Sequence, residues 1–267
     1  MSAIFTPFQG ATALITGASS GIGMAYAKKL ASLGLHLVLT ARSEQALQNL
    51  AHALRTSHPI NVEVIVLDLA QLGAAQELFE TLQTKKIQID CLINNAGFGK
   101  WTAFAEQSIA IYHEMMILNM LSLTTLCHLF LPHMIENKRG IIINIASTGA
   151  FQPLPYIAVY GATKSFVLNF SEALAGEYAD SGIRCLAVCP GNTATNFTQV
   201  AQADTQGMPS SSVDDVVNAT LRALDQHKST VIVGIKNYWT AQLPRFLPRQ
   251  QVIQIVKNTL QKRVIHK

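Results

Sequence analysis

The sequence predicts an α/β fold, an open and doubly wound parallel sheet of about seven strands with helices on both faces. Three observations predict it. Short runs that are apolar almost without interruption alternate with longer stretches of helical period. Continuous apolarity marks strands buried on both faces, as crossover helices require. Finally, 49% of the 267 residues are hydrophobic and only 13% are charged, enough apolar surface for a two-sided core and too much for a disordered chain.

The elements follow in order. Residues 12–16 read as the first strand; a turn with Gly17, Gly21 and Gly23 leads into helical period over 22–33. A strand at 36–40 precedes a helix over 44–55, with Ser43 as its expected N-cap. A strand at 62–67, a helix over 74–84 and a strand at 91–94 come next. The long helical pattern over about 109–136 is apolar at 118–131 apart from Asn119, Ser122 and His128. That interruption argues against a membrane span and for a helix buried on nearly all sides. A strand at 141–145, a helix over about 159–180 with Gly182 just beyond its end, and a strand at 184–188 continue the alternation. Residues 192–212 form one long irregular stretch, the expected substrate loop. A helix over 213–227 and a strand at 230–233 follow. With no repeat, linker or composition break, residues 1–267 are expected to form a single domain.

Charge is uneven. Up to Asp225 the chain holds 16 acidic and 12 basic residues; beyond it stand eight basic residues and no acid. Residues 239–267 therefore form a basic tail. Within it, positions 252, 256, 260 and 264 recur every four residues, an amphipathic helix pattern with Arg263 near its apolar face. Such a helix packs on the domain or a neighbouring subunit, or makes peripheral contact with an anionic membrane. The four cysteines (Cys91, Cys127, Cys185, Cys189) have neither paired spacing nor metal-ligand spacing with histidine. Free buried thiols in a cytoplasmic protein without a metal are the expectation, and neither a secretory leader nor a nucleic-acid partner is expected.

The turn from first strand to first helix reads Thr16-Gly17-Ala18-Ser19-Ser20-Gly21-Ile22-Gly23. Glycines there let a backbone approach a pyrophosphate, and the helix N-terminus offers N–H donors to the anion. Further motifs follow in fixed order. Asn94-Asn95-Ala96-Gly97 comes after the fourth strand and Ser147 after the fifth; then come Tyr160-Gly161-Ala162-Thr163-Lys164 and, after the sixth strand, Pro190-Gly191. Together these resemble the short-chain dehydrogenase/reductase family, in its compact single-domain form, over nearly the whole chain. The resemblance implies a Rossmann-type sheet and an oxidoreductase using a nicotinamide dinucleotide.

The second strand ends Ala41-Arg42 where NAD-binding folds place an acid. A guanidinium binds a 2′-phosphate bidentately, so Arg42 predicts NADP(H) over NAD(H); the alternative is a solvated arginine opening a helix. Ser20 stands where some relatives carry a second basic residue. The resemblance assigns Asp68 and Leu69 to the adenine; the alternative for Asp68 is a helix cap at the strand end. It assigns Asn95, Ala96 and Gly97, with Pro190, Gly191, Thr193 and Thr195, to the rest of the cofactor.

Tyr160 and Lys164 lie four apart on one helix face. The resemblance makes Tyr160 the general acid/base, its pKa expected to be lowered by Lys164 together with the positive ring of an oxidised nicotinamide. Ser147 then holds the substrate oxygen, Lys164 binds the nicotinamide ribose, and Asn119 supports a proton relay. The implied reaction is hydride transfer between a ketone or aldehyde and its alcohol. Phe98, Trp101, Phe151, Leu154, Pro155, Tyr156 and Phe197 suggest a lipophilic substrate, or else serve as lid or interface residues. Two rival readings are an epimerase or dehydratase using the same Tyr–Lys pair, and a dinucleotide-sensing protein without turnover. Only 33 residues follow Gly234, too few for the substrate domain of the first rival, and the intact acid/base set opposes the second. Helices over 109–136 and 159–180, apolar beyond one stripe, predict a homodimer or homotetramer.

Overall fold

The computed structural model describes residues 3–264. Seven strands form one parallel sheet: β1 (Thr12–Thr16), β2 (His36–Ala41), β3 (Val62–Val66), β4 (Cys91–Asn94), β5 (Gly140–Ile145), β6 (Ile183–Cys189) and β7 (Thr230–Ile232). Their order across the sheet is β3-β2-β1-β4-β5-β6-β7. The chain winds outward from β1 through β2 to β3, then returns to place β4 on the other side of β1. The carboxyl ends of β1 and β4 thus flank the switch point, where doubly wound sheets bind ligands.

Alternate residues along each strand feed the two layers. Ala13, Ile15, Leu37, Leu39, Ile141 and Ile143 pack under α1 (Gly21–Ser32), α2 (Glu44–Ser57) and α8 (Val213–Asp225). Leu14, Val38, Leu92 and Ile142 face α3 (Ala74–Thr84), α5 (Leu123–Glu136) and α6 (Ala158–Glu177). This period of two, with both faces covered, is why the strands lack polar alternation. All four cysteines are free and buried. A short polar chain crosses the sheet into α6. Asn94 donates to the Asn144 side-chain oxygen at 2.9 Å, and Asn144 to the Ser171 hydroxyl at 2.9 Å. These two asparagines stand in register on β4 and β5.

The structure corrects several boundaries. The pattern over 109–136 is α4 (Ile109–Met116) and α5 joined by a π-helical turn, Ile117–Ser122. It is long and apolar enough to span a membrane by length and composition, but α5 lays Leu126, Cys127, Phe130 and Met134 on the sheet. Nor is it buried on nearly all sides, because Leu121 is 50% exposed. Helix α6 stops at Glu177, short of residue 180, and Gly182, at φ +76°, makes the later turn into β6 against the Lys138 carbonyl. Ser43 caps α2 by position only, without a side-chain hydrogen bond. A 3-10 turn (Ala3–Phe8), the short helix α7 (Phe197–Val200) and helix α9 (Ile235–Gln242) are elements that hydrophobic period did not reveal. The tail forms α10 (Arg249–Val264), whose stripe packs inward at Val252 and Leu260. Ile265 and Lys267 of the tail lie outside the described residues.

Candidate active site

The glycine turn closes tightly on the loop after β4. Gly17 adopts φ +65°, and a Cβ there would stand 2.9 Å from the Asn95 amide and 3.0 Å from Ala96 Cα. A Cβ on Gly23 would collide with the Gly17 carbonyl. Thr16, which the sequence reading passed over, holds the two loops together: its hydroxyl accepts from Asn95 N at 3.0 Å and Ala96 N at 2.9 Å. Asn95 returns the contact by donating to the carbonyls of Thr16 (2.9 Å) and Gly17 (3.1 Å). Its side chain is thus engaged in building the turn. Ser20 is the N-cap of α1 but makes no side-chain cap bond, so it leaves the first N–H groups of that helix to another acceptor. A cradle of this shape, at the positive end of a helix and beside the switch point, fits a dinucleotide pyrophosphate.

Arg42 is exposed at the carboxyl end of β2. Asp68 is half-buried, and its carboxylate accepts from Ala70 N at 3.0 Å in a local turn; it caps no helix, since the N-cap of α3 is Gly73. Leu69 is buried, its carbonyl accepting from Ser122 Oγ at 2.6 Å. On the far side, Thr195 approaches the glycine turn: a Cβ on Gly21 would lie 2.9 Å from its methyl group. The Thr195 hydroxyl accepts from Phe197 N at 3.2 Å. Thr193 forms a bridge with Ser211, which ties both ends of the 192–212 loop together. The Pro190 carbonyl accepts from Thr148 N at 2.9 Å.

Asn119 sits in the π-helical turn and is 1% exposed. It donates to the Phe98 carbonyl and the Thr163 hydroxyl, each at 3.0 Å, and accepts from Phe98 N at 3.2 Å. A π-turn adds a residue to the helix circumference and re-aims one side chain, a common feature of functional sites. Here it brings Asn119 against the β4 loop and α6 together. A Cβ on Gly97 would stand 3.0 Å from Asn119 Oδ1 and 3.4 Å from Lys164 Nζ. Gly97, Asn119 and Lys164 therefore meet at one point.

Lys164 is buried and donates to the Ile145 carbonyl at 2.7 Å. Its ammonium lies 5.8 Å from the Tyr160 ring centroid. Burial lowers its pKa from 10.5 to about 8, partly offset by the neighbouring Cys189. For Tyr160, the expected lowering concerns the state with an oxidised nicotinamide bound. In the chain alone, burial pushes its phenol up to about 12, opposed by a side-chain hydrogen bond with Ser147. The protonated phenol is consequently the resting form at neutral pH. Ser147 opens the turn after β5, its hydroxyl accepting from Gly149 N at 3.0 Å.

The buried lysine has a consequence for stability. Unfolded lysine holds its proton to about pH 10.4. Between about pH 8 and that value, the unfolded chain binds a proton the folded chain has released, so this group makes stability rise with pH. A Lys164→Met variant should lack that rise. Melting temperatures of the two proteins across the window check it; parallel curves would contradict it.

Three loops meet at the mouth. Trp101 N donates to the Ala201 carbonyl at 3.0 Å, Thr102 N to the Tyr156 carbonyl at 2.9 Å, and Lys100 Nζ to the Val200 carbonyl at 2.6 Å. Phe197 stacks at a tilt on Tyr160, with ring centroids 5.6 Å apart. Leu154 instead wedges between Gly149 and Gly161. Tyr156 carries φ +69°, a strained backbone for an aromatic residue. Two further contacts were not foreseen in the sequence. Asn237 of α9 packs on Gly191 and donates to the Val233 carbonyl at 2.7 Å. Arg263 of α10 donates to the carbonyls of Asp204 (3.0 Å) and Gln206 (3.1 Å), anchoring the 192–212 loop. The arginine near the tail's apolar stripe is thus a clasp.

A doubly wound sheet with a glycine cradle at its switch point, and a tyrosine–lysine pair beside it, defines a class of dinucleotide-dependent oxidoreductases. The family model for short chain dehydrogenases matches residues 11–206, and the chain belongs to that family. Among solved structures, a short-chain dehydrogenase from Sphingobium yanoikuyae in complex with NADPH superposes with TM-score 0.80 at 34% identity, covering 91% of this chain and 95% of that one. The bulky-bulky ketone specific alcohol dehydrogenase from Comamonas testosteroni gives TM-score 0.76 at 33% identity, covering 91% and 94%. Very-long-chain 3-oxoacyl-CoA reductase of Anas platyrhynchos is 32% identical over 204 residues, 73% of this chain and 64% of that protein. Inactive hydroxysteroid dehydrogenase-like protein 1 of Homo sapiens is 33% identical over 195 residues, 71% and 58%. The match thus spans 58–64% of the length of these two relatives.

Proposed function

We propose that the protein is an NADP(H)-dependent carbonyl reductase that interconverts a lipophilic ketone or aldehyde and its alcohol. The observation that carries this reading is the convergence of Ser147, Tyr160 and Lys164 beside the glycine cradle. When bound, the nicotinamide supplies the hydride. The chain does the rest. The neutral phenol of Tyr160 donates its proton to the carbonyl oxygen, which Ser147 holds. Lys164 stands behind the phenol to replenish the proton, and Asn119 positions it by fixing the loop at Gly97. Backbone groups of Gly17, Ser19, Ser20, Gly21, Ile22 and Gly23 hold the phosphates, and Arg42 selects the 2′-phosphate. Asp68 and Leu69 border the adenine. Asn95, Ala96 and Gly97 back the cofactor, while Pro190, Gly191, Thr193 and Thr195 hold its nicotinamide end. NADPH in one structural relative and ketone specificity in another support the choice of cofactor and substrate.

The test is a panel of hydrophobic ketones and aldehydes with NADPH and NADH. Turnover with at least one ketone, and a higher kcat/KM with NADPH, is expected. Tight cofactor binding with no turnover across the panel would favour a sensing protein.

The same reading carries a single catalytic domain, a cytoplasmic location and self-association. Leu121, 50% exposed, and Phe166, 40% exposed and stacked on Phe170, lie on adjoining helices that the sheet leaves uncovered. An isologous dimer or a tetramer built on it would cover this face. Light scattering should give at least twice the 29.0 kDa chain mass at low concentration; a strict monomer would contradict it.

A further inference from the structure

The α10 stripe is spent on packing, but α9 is turned the other way. Its inward face carries Asn237 and Ala241, the latter 3% exposed. Its outward face carries Ile235, Tyr238 and Trp239, at 70%, 44% and 64% exposure, in the i, i+3, i+4 spacing of one helical stripe. The chain continues the stripe through a 3-10 turn (Leu243–Arg245), with Leu243 53% exposed and Phe246 81% exposed. Six of the fourteen large hydrophobic residues that face solvent among the described residues lie between Ile235 and Ile255. Scattered exposed apolar residues are ordinary; a contiguous aromatic ridge is not. Tyr238 and Trp239 pack edge to face at 5.5 Å, which presents two amphipathic rings side by side.

The charge along this part of the chain has one sign. Lys236, Arg245, Arg249 and Lys257 are exposed, and no acid occurs anywhere after Asp225. Trp and Tyr favour the headgroup region of a bilayer, and lysine and arginine are drawn to anionic lipid. We propose that α9 and the turn that follows it form a docking surface for an anionic lipid bilayer. Apolar side chains enter the boundary between headgroups and acyl chains, while the flanking cations meet lipid phosphates and carboxylates. Helix α9 also holds Gly191 through Asn237. Docking there sets the mouth of the candidate site beside the membrane, where lipophilic carbonyl compounds are concentrated.

The experiment uses the full chain with phosphatidylcholine vesicles, with and without phosphatidylserine. Co-sedimentation is expected only with phosphatidylserine, and salt should reverse it. A Lys236→Gln/Arg245→Gln variant should bind about 30-fold more weakly, the ratio corresponding to about 1 kcal/mol per basic residue near such a surface. A Trp239→Ser/Phe246→Ser variant should lose binding, together with the change in tryptophan emission that the wild type shows on vesicle addition. All four residues are exposed, so melting temperatures should not move. Absence of binding, or binding indifferent to both pairs of substitutions, would overturn the proposal. So would conversion of an oligomer to a monomer by Trp239→Ser/Phe246→Ser with vesicle binding intact, which would assign the ridge to a second copy of the chain. Turnover of a water-soluble ketone by the same variants should be unchanged. Its absence in the wild type would strike the proposed reaction and leave the docking result standing.

Discussion

Replacing Tyr160 with phenylalanine is expected to cut turnover of any carbonyl substrate by about 10²- to 10⁴-fold, with cofactor binding retained. The substitution removes one oxygen. The ring contact with Phe197, at 5.6 Å, needs no hydroxyl, and the Lys164 bond to the Ile145 carbonyl is independent of it. Lys164 is held by the Ile145 carbonyl and Ser147 by Gly149 N, so neither side chain stands in the place of the phenol oxygen. Burial that holds the phenol near 12 also keeps it loaded across the neutral range, which suits reduction. Full turnover by the phenylalanine variant, measured as NADPH oxidation, would remove Tyr160 from the chemistry.

The second large effect belongs to Arg42. Arg42→Ala should raise KM for NADPH by roughly 10- to 150-fold and leave NADH almost unchanged. That range corresponds to about 1.5–3 kcal/mol for a hydrogen bond to a charged group. The guanidinium is exposed at the end of β2, so solvent screens it and the lower end is expected. Equal losses with both cofactors would show that Arg42 supports the loop rather than the 2′-phosphate.

The core of this fold was readable because a two-sided sheet leaves a plain signal. Ile141 and Ile143 feed one layer and Ile142 the other, so the strand is apolar throughout. The motifs at Gly17, Asn95, Ser147, Tyr160 and Lys164 were readable because their backbone or acid/base demands admit few residue types. Other parts left no local trace. The π-turn around Asn119 depends on contacts with Phe98 and Thr163, distant in sequence. Helix α9 has a solvent-facing apolar stripe, the inverse of the pattern used to find helices. Arg263 looked like a flaw in the α10 stripe because its partners, Asp204 and Gln206, lie some sixty residues away. The burial that raises the Tyr160 phenol in the chain alone likewise comes from the assembled fold and leaves no local trace.

The most direct test of the central claim follows an atom. NADPH carrying deuterium on the transferable position of the nicotinamide is incubated with the protein and a hydrophobic ketone, and the product is analysed by mass spectrometry. Hydride transfer to a carbonyl held by Ser147 and Tyr160 predicts an alcohol with one deuterium on its carbinol carbon. Product formed without the label, or cofactor that binds and keeps its deuterium in the presence of every ketone tested, would contradict it.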